Sequence, residues 1–189
     1  MGILRETAAM VRALPLPAGF SVCELGDQQM AGKVATPAEA FYRELGCGRY
    51  VSIDGNGQGT VTADLNRPVT ALNLGTFDLV TDFGTGEHIF DQAQVWRTLH
   101  ELTKPGGYIA FDRPSRGYEQ HCFYSTHLCL YEDIAAANGY AILQMDTRQT
   151  PRGALILGVY WKSLSASPFR HPQQGRYRAV LFPPSKGAA

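Results

Sequence analysis

Short apolar runs alternate with helix-patterned segments along most of this chain, and that alternation constrains its fold more than any other feature. Phe20–Leu25, Tyr50–Asp54, Phe77–Phe83 and Tyr108–Phe111 read as strands, with Gly59–Asp64 as a further short one. Helical spacing marks Leu4–Leu14, stopped by Pro15 and Pro17, and the segments Ile89–Leu102 and Leu128–Asn138, the last ended by Gly139. Thr36-Pro37 ahead of AEAFYREL reads as an N-cap and a first-turn proline, with Gly46 closing that helix. Lys104-Pro-Gly-Gly107 reads as a turn, and Tyr140–Met145 and Ala154–Trp161 close the sheet. Strand, helix and strand in repeated succession build βαβ units and a mostly parallel sheet. One domain over residues 1–162 is expected, followed by a Pro-, Ser- and Gln-rich tail over 163–189.

Composition narrows the class. With 189 residues, 44% of them hydrophobic, the chain can bury a core without metal or disulfide. No run of 18 apolar residues exists, so no membrane span is expected. The N-terminal stretch is cut by Arg5, Glu6 and Arg12 and makes a poor signal peptide. Cys23, Cys47, Cys122 and Cys129 lack C-x-x-C or paired zinc spacing and read as reduced thiols, so a cytoplasmic protein is expected. Net charge is zero but uneven: residues 147–189 hold seven basic and no acidic groups, leaving 10 basic against 17 acidic in the rest. A basic tail of this kind can dock on its own acidic body, on a sister subunit, on a partner protein or on nucleic acid.

An open parallel sheet binds its ligand beyond the carboxyl ends of its strands. Acidic residues stand at three of those ends, Glu24, Asp54 and Asp64, and Asp82, Gly84, Thr85, Glu87 and His88 follow the fourth strand. Carboxylates suit ribose hydroxyls, an exocyclic amine and positive charge, and they oppose a phosphate. A dinucleotide glycine pattern fails after Gly26, where Asp27, Gln28 and Gln29 follow, and no Walker loop is present.

The ordered set Glu24-x-Gly26, Ser-Ile-Asp54, Ala-Asp64-Leu-Asn, Phe77-Asp-Leu-Val, Glu87-His88 and Leu102-Thr-Lys-Pro-Gly-Gly107 resembles the class I S-adenosylmethionine-dependent methyltransferases over residues 20–161. Such a resemblance implies a three-layer Rossmann-like α/β fold, its sheet mostly parallel with a C-terminal antiparallel strand. It also implies S-adenosyl-L-methionine as cofactor. Glu24 and Gly26 would then lie by the methionine moiety, and Asp54 on the ribose hydroxyls. Asp64 and Leu65 would serve the adenine, while Asp82, Phe83 and Gly84 would lie near the transferred methyl. Gln28 belongs to the same cofactor-facing loop, where it and Met30 replace the second and third glycines usual in the family. That replacement opens an alternative: a non-catalytic binding or assembly module with weakened or lost cofactor affinity.

In the loop after the fifth strand, His121 is a candidate general base, with Tyr118 and Tyr124 as substrate contacts. Glu87 and His88 complete the candidate catalytic set, although either can instead serve the start of the helix that follows. Glu87, His88, Asp91 and His121 can also be gathered into a metal site, but nothing in their spacing demands one, and no metal is expected. The acceptor expected is a small molecule, a sugar or another biosynthetic intermediate, free or presented by a partner. Nucleic acid is disfavoured because Asp82-Phe-Gly-Thr85 stands where a base-amino methyltransferase carries Asn-Pro-Pro-Tyr or Asp-Pro-Pro-Tyr.

Overall fold

The structure is a computed structural model that describes residues 2–32, 35–165 and 167–174. Seven strands form one sheet: β1 Ser21–Leu25, β2 Arg49–Asp54, β3 Val61–Thr62, β4 Phe77–Phe83, β5 Thr103–Arg116, β6 Tyr140–Thr150 and β7 Gly153–Lys162. Their spatial order is β3-β2-β1-β4-β5-β7-β6, parallel except for β7, which runs antiparallel to both β5 and β6. The fold is therefore three-layered and Rossmann-like, as expected.

Helices α1 (Arg5–Arg12) and α2 (Ala38–Glu44) cover one face, and α3 (Gln92–Leu102) and α4 (Leu128–Asn138) the other. All five residues of β1, the polar Ser21 and Glu24 included, are buried because both faces of this interior strand are covered. Alternate residues feed alternate cores. Cys23 and Leu25 join Trp96, Leu99 and Tyr131 under α3 and α4, whereas Val22 joins Phe41 and Tyr42 under α2. α1 is tied to the far half of the sheet by Thr7, whose hydroxyl donates to Asp112 at 3.0 Å, and by Glu6, 3.5 Å from Arg148.

Several local expectations change. Pro37, not Thr36, is the N-cap of α2, because Thr36–Pro37 pairs antiparallel with Gln29–Met30 in a two-stranded ribbon. α3 starts at Gln92 rather than Ile89: Asp91 accepts from the Gln94 N–H at 2.9 Å, and Gly86–His88 forms a separate 3₁₀ turn. The expected turn at Lys104–Gly107 is instead an irregularity inside a longer β5, whose partner register on β4 shifts between Phe77 and Leu79. β3 shrinks to two residues.

The first part of the tail docks on the body through hydrogen bonds. Asn138 at the end of α4 exchanges bonds with both backbone groups of Arg170, His100 of α3 bonds to the Ser167 carbonyl at 2.8 Å, and the Phe169 ring packs on His100. Arg176, Arg178 and Lys186 of the expected basic arm lie outside the described residues.

Candidate functional site

At the carboxyl ends of β2 and β3 the chain leaves a cavity of about 480 Å³ lined by Asp54, Gly55, Thr62, Ala63, Asp64, Leu65, Thr85 and Ile89. That volume is ordinary for a small-molecule site. Three of the predicted cofactor residues, Asp54, Asp64 and Leu65, come together here. Thr85, read in the sequence among the residues after the fourth strand, stands on the same wall, whereas Thr62 and Ile89 were not anticipated, since only the folded register of β3 and the turn after β4 bring them there.

Both Asp54 oxygens hold the surrounding loops: Oδ2 accepts the Asp27 N–H at 2.9 Å and Oδ1 the Asn56 N–H at 2.9 Å. An ionised carboxylate has roughly four acceptor positions, so two remain for hydroxyl donors. Asp64 accepts from the backbone and side chain of Asn66, bonds that hold its carboxyl below the usual carboxylate range. Leu65 is buried against the α3 side of the core and offers the cavity an apolar floor.

The first loop takes a route of its own. Gly26 has φ +87°, and a Cβ there would collide with the Thr85 hydroxyl and the Gln28 amide. Gln28 folds inward, donating to Thr85 Oγ1 at 2.7 Å, and Met30 pairs with Thr36 in the ribbon. Two side chains thus occupy the space that glycines leave open in the usual loop pattern.

Glu24 does not line the cavity; its carboxyl lies by Tyr42 of α2 and is also bonded by the Gln28 backbone. It is fully buried and accepts from the hydroxyls of Tyr50 at 2.7 Å and Tyr42 at 3.3 Å. Burial pushes its carboxyl up to about 8, so it keeps its proton at neutral pH. Asp82 is also fully buried. It pairs with Arg113 at 2.5 Å and accepts the Thr85 and Gly86 N–H groups, while Phe83 is buried in the α1–α2 core. The side chains of Glu24, Asp82 and Phe83 are therefore turned into the protein, and Gly84 (φ +91°) makes the bend that follows.

Across the Gly86–His88 turn lies the second group. The Phe123 and Tyr124 N–H groups both donate to the Glu87 carbonyl, at 3.2 and 3.3 Å, and this folds the loop after β5 back onto the turn. His88 and His121 meet edge to face with ring centroids 4.9 Å apart. The sequence-predicted trio Glu87, His88 and His121 is thus one cluster, with donor atoms all within 4.8 Å of one another. Tyr118 is largely core, its hydroxyl bonded to Thr150 at 3.0 Å, and Tyr124 donates to the Phe90 carbonyl. Phe90 and Phe123, missed in the sequence, pack on each other and on Tyr124 with 72% and 70% of their surface exposed.

Neither a protein-family model nor a curated protein sequence matches the chain. Solved structures do. The N-methyltransferase NodS from Bradyrhizobium japonicum, in complex with S-adenosylhomocysteine, superposes with a TM-score of 0.59 at 15% identity, covering 84% of this chain and 86% of that one. The 1,6-didemethyltoxoflavin-N1-methyltransferase of Burkholderia thailandensis gives 0.60 at 16% identity over 84% and 77%. An S-adenosylmethionine-dependent methyltransferase from Mesorhizobium loti gives 0.55 at 17% over 83% and 97%. The chain has the class I methyltransferase fold. No helix among the described residues is long and apolar enough to cross a membrane.

Proposed function

We propose that this methyltransferase-fold chain binds S-adenosyl-L-methionine in the cavity beyond β2 and β3 and transfers its methyl group to a small molecule. The observation that carries this reading is the cavity itself. Two carboxylates on successive strand ends, Asp54 and Asp64, share it with the apolar Leu65, a donor-accepting and ring-packing set that matches a nucleoside. Among the structural neighbours, the NodS and toxoflavin enzymes were solved with S-adenosylhomocysteine, and the latter also with bound 1,6-didemethyltoxoflavin.

In this reading Asp54 accepts the ribose hydroxyls, Asp64 the adenine amine, and Leu65 packs on the ring. The cofactor, when bound, supplies an activated methyl on a sulfonium. Gly26, Gln28 and Gly84 shape the passage for its amino-acid end; Asp82 and Phe83 set that passage from behind. Glu24 supports β1 beside Tyr42 of α2. The chain's task is then to hold an acceptor in line, which supplies up to roughly 7–11 kcal/mol of barrier lowering. Glu87, His88 and His121 stand on the acceptor side, where a proton must leave if the accepting atom carries one. The exposed Phe90 and Phe123 rings, with Tyr124 beside both and Tyr118 against His121, favour a flat, partly apolar acceptor. Four free thiols fit a cytoplasmic home.

Calorimetric titration with S-adenosylmethionine and S-adenosylhomocysteine tests the reading. Micromolar binding of both is expected, and Asp54→Ala should weaken it by about 1.5–3 kcal/mol, tenfold or more. No binding at millimolar cofactor, or affinity unchanged in the variant, overturns it in favour of a binding module whose loop has closed the site.

A further inference from the structure

The Glu87 carboxylate is the least explained group in the molecule. Its residue is 1% exposed, and neither side-chain oxygen has a hydrogen-bond partner. Among the described residues no cation lies within ion-pair distance of it: the nearby Arg113 is engaged by Asp82. Buried polar groups in proteins are paired in the great majority of cases, so an acid left with both oxygens bare calls for a partner of another kind. The Nε2 atom of His121 shares the condition, buried and without a partner. One donor atom from each of Glu87, His121 and His88 lies within 4.8 Å of the other two.

We propose that Glu87, His88 and His121 form a three-ligand site for a divalent transition-metal ion of the zinc type. Two imidazole nitrogens and one carboxylate oxygen are donors that such ions prefer, whereas magnesium demands a mostly oxygen shell. Around a tetrahedral ion with bonds of about 2.1 Å the donors stand roughly 3.4 Å apart, so side-chain rotations of about 1 Å close the cluster. The backbone that carries it is already set by the two N–H bonds from residues 123 and 124 to the Glu87 carbonyl. Three protein ligands leave a fourth position open. Two of the three ligands, His88 and His121, line a cleft of about 360 Å³ with Glu119, Gln120, Cys122 and Phe123, and a fourth ligand could enter through it. The turn that bears Glu87 and His88 is flanked on both sides by wall residues of the nucleoside cavity, Thr85 and Ile89.

An ion in this place would take an acceptor's hydroxyl oxygen as its fourth ligand and ease loss of the hydroxyl proton to solvent before the S–CH₃ bond breaks and the O–CH₃ bond forms. That substrate-side role rests on the methyl-transfer reading; binding of the ion does not.

The test is titration of the full chain, stripped with a chelator, with Co²⁺ followed by visible absorption and with Zn²⁺ by calorimetry. One ion per chain with micromolar or tighter affinity is expected, with the intense visible bands of four-coordinate cobalt. His121→Ala should weaken binding at least 100-fold and Glu87→Gln at least tenfold, with circular dichroism verifying the fold of each. Should His121→Ala fail to fold, His88→Gln at the solvent edge of the cluster carries the same expectation. Absence of Co²⁺ and Zn²⁺ binding at millimolar metal, binding of Mg²⁺ alone, or affinity indifferent to all three substitutions overturns the site. Titrating the same samples with S-adenosylhomocysteine separates the two claims: an ion bound without cofactor sinks only the methyl-transfer reading, and cofactor bound without an ion sinks only the metal site.

Discussion

Glu24 stands at a strand end in the pattern of a ligand-binding acid, yet its carboxyl sits between the Tyr42 and Tyr50 hydroxyls in a dry layer. Nothing in the sequence announces this, because the two tyrosines come from α2 and β2 and meet only when those elements pack on β1. That Asp54, Asp64 and Leu65 line one cavity was legible for the opposite reason: they stand at or just beyond strand ends, where topology alone decides what faces the cleft. The buried acid has a consequence in pH. Its folded-state pKa of about 8 exceeds the ordinary 4.5, so over that interval the folded chain binds more protons than the unfolded one, and stability falls as pH rises. Glu87 and Asp112, pushed up to about 7 and about 6 by burial, act in the same sense. His88 and His100, lowered by burial, act oppositely, but only below about 6.5. The decline should therefore be clearest between about pH 6.5 and pH 8, and Glu24→Gln should flatten it by at least about 1 kcal/mol, read from urea midpoints across that range. At Gly86 a Cβ would strike the Arg113 guanidinium and the Asp82 carboxylate at once. Gly86→Ala should cost about 2–4 kcal/mol by prising apart a buried ion pair, seen as a lowered thermal midpoint.

Among the elements, those with strong periodicity and clear stops were legible: α4 with its Gly139 end, β4, and the closing pair of strands. The start of α3 was not, since Asp91 three residues ahead of Gln94 outcompetes the apolar Ile89 as a boundary only once the Gly86–His88 turn has formed. Nor was the ribbon of Gln29–Met30 with Thr36–Pro37, a pairing of two polar dipeptides without any alternating pattern. Tail docking was open at the sequence level and is settled for residues 167–171 by side chains of α3 and α4, with Asn138 the main clasp. Its amide donates to the Ile134 and Arg170 carbonyls and its oxygen accepts the Arg170 N–H. Asn138→Ala should release this segment, so trypsin should cut after Arg170 severalfold faster than in the unaltered chain while the rest stays resistant; an unchanged rate would count against the clasp.

At the scale of the molecule, the last strand among the described residues lies inside the sheet. β7 separates β5 from β6 and bonds to both, with apolar residues Leu155, Leu157 and Val159 facing one core and Ile156 and Tyr160 the other. A chain ending at Thr150 keeps every helix and, of the seven sheet strands found among the described residues, six, yet it should show little cooperative unfolding by circular dichroism, because β6 then has no partner and β5 presents a bare edge. For a ribosome this means that no N-terminal portion of the polypeptide can lock in stages. The β6–β7 hairpin has to emerge whole and be inserted as a unit, and until it does the apolar rim of β5 is a surface that chaperones can hold.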